Sequence, residues 1–148
     1  MASRDRLPRG PHADRPRPDE VIRKSSGADL QNGWLARHGT LFLTDERLVF
    51  VPTVLDTALR AKRREIPLDT VDELERFPRS PGEFTAGAKR PRLLIHTPEC
   101  IYQFMLPDMD AWIDAIEVVC EARVRRGAER MPVITREGYS NLLKHLDD

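Results

Sequence analysis

The sequence predicts a mainly β domain with a C-terminal amphipathic helix packed on its sheet, and three stretches carry that expectation. The first is Gly39 to Val51, GTLFLTDERLVFV. In an extended chain Leu41 and Leu43 share one side and Phe42 takes the other, and apolar character resumes at Leu48 after Asp45-Glu46-Arg47. Two strands joined by a charged turn fit this pattern. A helix does not, because Thr40, Thr44, Val49 and Val51 are β-branched and the charged triplet breaks the apolar face. The second stretch is another hairpin, Arg92 to Thr97 and Cys100 to Leu106 around a Pro98-Glu99 turn. The third is a helical stripe through Met109, Trp112, Ile113, Ile116, Val119, Cys120 and Val124.

The 148 residues suffice for one modest core with tails, and the formal charge is zero, so no overall field demands nucleic acid or an anionic surface. The division expected is a tail over 1–19, a domain over 20–127 and an extension over 128–148. Arginine outnumbers lysine, which suits bidentate phosphate contact, but its even scatter fits a GC-biased genome as well. Cys100 and Cys120 match no zinc or CxxC spacing and are read as reduced and buried. Basic residues near the N-terminus have no apolar run behind them, and no stretch approaches a membrane span. The expectation is a cytoplasmic protein that reaches a membrane peripherally if it does so.

In chain order, residues 1–19 combine four prolines with arginine and aspartate and read as a disordered tail. Acidic residues among the arginines weaken its alternative role as a phosphate-binding arm. Val21 and Ile22 begin a first strand, which the turn-prone run Ser25 to Asp29 is expected to end. Asn32-Gly33 marks a second turn, and Trp34 to Arg37 lead into the strand containing Leu41. Beyond Pro52, Val54, Leu55, Ala58 and Leu59 recur at the spacing of a short helical turn, followed by Arg60, Lys62, Arg63 and Arg64. Either Leu55 and Leu59 close the end of the core, or they touch a membrane beside this basic cluster. Ile66-Pro67-Leu68 reads as an edge strand, Val71, Leu74 and Phe77 as a bent extended piece, and 78–91 as a polar connection.

In the second hairpin Tyr102, Phe104 and Leu106 share a face expected inside. Asp108 suits the N-cap of the helix, Asp110 its first turn and Gly127 its C-cap. After Pro132 a final helix is expected, capped by Thr135, with Tyr139, Leu142, Leu143 and Leu146 at i, i+3, i+4 and i+7. It folds back on the domain or docks a partner, and the first is favoured because a short isolated helix is marginal in water.

Catalytic signatures are missing: the sequence has no P-loop, GxSxG elbow, HExxH or dinucleotide fingerprint. His96, Cys100 and Cys120 supply too few ligands at suitable spacing for zinc, so no metal and no cofactor is expected. His12, His38 and His145 read as surface histidines. Phe42, Tyr102 and Phe104 have apolar rather than basic neighbours, which argues for core packing and against nucleic acid.

The order of elements resembles the pleckstrin-homology (PH) fold and, within it, the GRAM domain family. The resemblance rests on Gly39-Thr40-Leu41-Phe42-Leu43-Thr44, Arg47-Leu48-Val49-Phe50, Ile66-Pro67-Leu68 and the helix bearing Trp112 and Ile116, and it covers roughly residues 20 to 126. It implies a bent, partly open barrel of about seven antiparallel strands capped by one helix, the short terminal helix lying outside it. It also implies a non-enzymatic module that binds phosphoinositides, other anionic lipids or proteins. The headgroup site of such domains surrounds the first interstrand connection, read here as Ser26 to Gly33, which holds Asp29 and no basic residue. Arg23, Lys24 and Arg37 flank it, and Arg60, Lys62, Arg63 and Arg64 form the alternative cluster. The expected function is a protein- or peptide-binding adaptor. The second option is a peripheral membrane module with Leu55 and Leu59 at the interface and the basic cluster on anionic lipid.

Overall fold

The computed structural model describes residues 20–32, 35–55, 62–77 and 91–136. The predicted tail, Trp34, Leu59, Arg60, the 78–90 connection and the helix residues Tyr139, Leu142, Leu143 and Leu146 lie outside the described residues. Eight strands form one sheet: β1 (Ile22–Asn32), β2 (Leu35–Thr44), β3 (Arg47–Pro52), β4 (Arg64–Pro67), β5 (Glu73–Phe77), β6 (Arg92–His96), β7 (Ile101–Met105) and β8 (Val133–Thr135). Their spatial order is β4-β3-β2-β1-β7-β6-β5-β8, and every pair is antiparallel except β5 with β8. The sheet bends back on itself, so that Phe50 of β3 meets Phe104 of β7 with ring centroids 5.8 Å apart. Strands β4 and β8 stay as edges, which makes the barrel open.

The two predicted hairpins are β2–β3 and β6–β7, and Leu41, Leu43, Leu48, Phe50, Leu93, Ile95 and Phe104 are buried as their alternation requires. The strand preceding them differs from expectation. β1 runs through Ser25 to Asp29 without turning, because those residues pair with Phe42 through His38 of β2 and bring Ala28 and Leu30 into the core. Ladder bonds along a whole strand outweigh the local turn preference of Ser, Gly and Asp. The small side chains serve packing here, since Ser26 leaves room for Trp112, whose Nε1 donates to Ser26 Oγ at 3.0 Å.

The helix, α1 (Met109–Arg125), buries Met109, Trp112, Ile113, Ile116, Val119 and Cys120 against the sheet, while Val124 at its end is exposed. Asp108 occupies the N-cap position in left-handed backbone (φ 52°, ψ 56°), and its carboxylate makes no capping bond, contrary to expectation. The other end follows the predicted pattern: Gly127 takes φ 108°, its N–H donates to Val124 O and that of Ala128 to Arg123 O, a Schellman closure. Arg123 ties this end to the β2–β3 turn by donating to Asp45 O (3.1 Å) and Glu46 Oε2 (3.0 Å), and it also pairs with Asp69.

Further corrections concern the edges. β4 ends at Pro67, and Leu68 begins a single 3-10 turn over Leu68–Thr70. Thr135, expected as a helix cap, lies in β8, opposite Glu75 of β5, so the strand count rises to eight. Cys120 is buried as expected, but Cys100 lies exposed at the end of the β6–β7 turn, and both are free. Burial pushes the Cys120 thiol up to about 11 against the opposing pull of Arg123, which leaves it both shielded and protonated at neutral pH. A thiol-exchange reagent at pH 8 is therefore expected to modify one cysteine in the native chain and both in denaturant. Mass mapping to Cys100 checks this, and native labelling of Cys120 would contradict the packing of α1.

Candidate functional site: the open mouth of the barrel

The strand register gathers three connections at one end. Gly39 pairs with Pro52, and Thr53 N–H donates to His38 O at 2.9 Å, so β3 leaves the sheet toward the β1–β2 turn. Phe50 opposite Arg64 brings the β3–β4 connection to the same end, and Leu30 opposite Phe104 directs the start of β7 there as well. The Thr97–Cys100 turn, held by Thr97 Oγ1 donating to Cys100 O at 2.8 Å, completes this rim. α1 and the β2–β3 turn lie at the opposite end.

Alternation then decides which rim side chains point inward. Counting back from buried Leu43 and Leu41 places Arg37 of β2 on the inner side, as counting from buried Ile66 does for Arg64 of β4. Counting from Phe104 does the same for Tyr102, which stacks on it at 6.4 Å with an interplanar angle of 16°. Burial raises the Tyr102 phenol, helped by a hydrogen bond with Cys100 and opposed by the charge of Arg64. Phe50 and Phe104 form the floor. The Nε of Arg37 is shielded from solvent and has no hydrogen-bond partner. Among the described residues neither Arg37 nor Arg64 is in an ion pair.

The other predicted cations are disposed differently. Arg63 pairs with Glu65 at 3.2 Å, Glu65 also holds Arg47 at 2.9 Å, and Lys62 is exposed beside them. Arg23 and Lys24 are at the far end, where Arg23 Nε bonds Asp45 Oδ1 at 2.5 Å and the Lys24 ammonium lies 5.5 Å from the Trp112 ring centroid. Lys24 pairs with Leu43 and Arg37 with Leu30, which separates them by about 20 Å along β2 at the usual rise per residue. The structure therefore splits this set and keeps Arg37 with Lys62, Arg63 and Arg64.

Leu55 does not close the core. It is 72% exposed and Val54 is 89% exposed, both in helical backbone past the last ladder bond at Thr53. The chain has already left the sheet at this point, past the strand whose packing buries the residues before them. Exposed Leu35 and Ile101 lie on the same rim. The sequence reading missed Tyr102 as a mouth residue and the inward aim of Arg37 and Arg64. Counting alternation outward from Leu41, Ile66 and Phe104 gives all three. A polar cavity of about 570 Å³ at the opposite end is lined by Glu46, Asp69, Arg123 and Arg130. Its acids and arginines largely neutralise one another, Arg130 with Asp72, so it offers little to a charged ligand.

No family model matches the sequence, and no curated protein matches it. Solved structures do. The Vps36 N-terminal PH domain superposes with a TM-score of 0.54 at 16% identity, over 74% of this chain and 85% of that one. The fold is PH-like. The hSac2 domain of the human phosphoinositide phosphatase Sac2 gives 0.56 at 10% identity, over 82% and 80% of the two chains. A C-terminal domain from Leishmania infantum gives 0.52 at 17% identity, over 68% and 84%. Identities this low speak to architecture alone. Among the described residues no helix of this PH-like domain is long and apolar enough to cross a membrane.

Proposed function

We propose that the chain is a non-catalytic PH-like binding module that receives an anionic lipid headgroup in its open mouth and touches the bilayer through Val54 and Leu55. The observation that carries this reading is that Arg37 and Arg64 are both aimed inward, without ion pairs, at the barrel end that also holds Tyr102. A guanidinium lacking an internal acceptor is suited to a phosphate or carboxylate from outside. The exposed Val54 and Leu55 supply the apolar contact that a peripheral module adds to charge attraction. A phosphoinositide phosphatase carrying a domain of this architecture agrees with a phosphoinositide as the lipid. The strand sequences Gly39 to Thr44 and Arg47 to Phe50 support placing the module with GRAM domains, acting at a cytoplasmic membrane face.

A protein- or peptide-binding adaptor is the second reading, favoured by the pairing of Arg47 and Arg63 with Glu65 and by the zero net charge. Both leave a weak general field for an acidic bilayer. Co-sedimentation with phosphatidylserine vesicles containing phosphoinositide separates the two. Retention is expected at low salt, to fall as salt rises, and to drop roughly tenfold or more when Arg37 and Arg64 are both changed to alanine. Leu55→Ser is expected to weaken retention without altering its salt slope. Absence of retention at low salt would pass the case to the adaptor.

A further inference from the structure

We propose that Glu73, Glu75 and His96 form a site for a divalent transition-metal ion on the outer face of the β5–β6 ribbon, with zinc as the test ion. Leu74 is fully buried, so Glu73 and Glu75 on either side of it both point outward. His96 of β6 is the direct cross-strand partner of Glu73, and Glu75 is its diagonal neighbour. One ligand atom from each residue lies within 4.8 Å of the other two, and His96 Nε2 stands 3.6 Å from Glu75 Oε1. Ions bound at about 2.0–2.2 Å in tetrahedral geometry hold their ligands roughly 3.3–3.6 Å apart, so small rotations of the carboxylates complete the set.

Two further observations favour an ion over a solvated surface cluster. The Nε2 of His96 is shielded from solvent and has no hydrogen-bond partner, because 3.6 Å is too long for one to Glu75. Among the described residues neither glutamate has an arginine or lysine partner, so two adjacent half-buried carboxylates face one imidazole without a balancing cation. The frame is firm: β5 lies between β6 and β8, Asp72 N–H donates to His96 O at 2.8 Å, and Val133 N–H donates to Asp72 O at 3.0 Å. One imidazole and two carboxylates suit zinc or its first-row neighbours. Three protein ligands leave a coordination position facing outward, open to water or to a side chain of a partner. The site lies outside the barrel and does not depend on how the mouth is used.

The full chain, stripped with chelator, is titrated with zinc by calorimetry and with cobalt by visible absorption. Saturation at one ion per chain is expected, with a rise in melting temperature. Glu75→Gln and His96→Gln should each weaken binding by roughly tenfold or more, whereas Cys100→Ser and His38→Gln should leave it unchanged. Both glutamine variants are to be melted without metal, and matching wild-type transitions show that any loss comes from the ligands. The proposal is overturned if zinc shows no saturable binding, if neither glutamine variant weakens it, or if calcium or magnesium binds more tightly than zinc.

Discussion

Changing Trp112 to alanine is expected to lower the stability of the domain by about 3–5 kcal/mol, the range for deleting a buried indole. The side chain is fully buried, its Nε1 donates to Ser26 Oγ at 3.0 Å, and the Lys24 ammonium lies over its ring. Alanine would leave a cavity between α1 and β1 that neither the ladder-bound strand nor a helix fixed at its far end by Arg123 can collapse to fill. Domains of this size hold about 5–15 kcal/mol in total, so the variant stands near the edge of folding. Trp112→Phe keeps most of the apolar contact and loses the N–H bond, with an expected cost of about 1–2 kcal/mol. Urea unfolding followed by circular dichroism measures both. A wild-type midpoint for the alanine variant would mean that α1 is not what closes this end of the barrel.

Local pattern was enough where an element's periodicity reports its own burial. The alternation of Leu41, Leu43, Leu48 and Phe50 foretold β2–β3, and the helical stripe named the buried residues of α1 apart from Val124 at its end. It failed where structure comes from a distant partner. Ser25 to Asp29 read as a turn in any short window, yet β2 on one side and, at Asp29 and Leu30, β7 on the other hold that segment extended. β8 was invisible for the same reason, since its three residues become a strand by pairing in parallel with β5. Cys100 and Leu55 look like core residues by type, but Leu55 comes after the last bonded position of β3 and Cys100 closes the β6–β7 turn just before β7, and exposure follows from those placements. The mouth was half legible. Arg37 and Arg64 were named from composition and position, while their placement at the same end as Tyr102 needed the register of β1 against β7 and of β3 against β4.

Gly39 gives the second large stability effect, and one that links the fold to the mouth. A Cβ built at this position would stand 2.8 Å from two carbons of the Phe50 ring and would intrude on the carbonyl oxygen of Val51. The obstacle is proximity rather than dihedral angle, because Gly39 does not have positive φ. A backbone carbonyl cannot rotate aside as a long side chain can, so β3 must move away from β2 or Phe50 must leave its place against Phe104. Gly39→Ala is therefore expected to destabilise by roughly 1–3 kcal/mol, the usual cost of overpacking a filled interior. Gly27 of β1 is the matched control, since a Cβ there meets nothing within 4 Å and Gly27→Ala should be neutral or stabilising by up to about 1 kcal/mol. Paired thermal melts test the contrast, and equal midpoints would contradict the close approach of β3 to β2. Because Arg37 lies two residues before Gly39 on the same face and Arg64 pairs with Phe50, the alanine variant should also lose vesicle retention at temperatures where it is still folded. Retention unchanged in a folded Gly39→Ala protein would separate the mouth from its Phe50 floor.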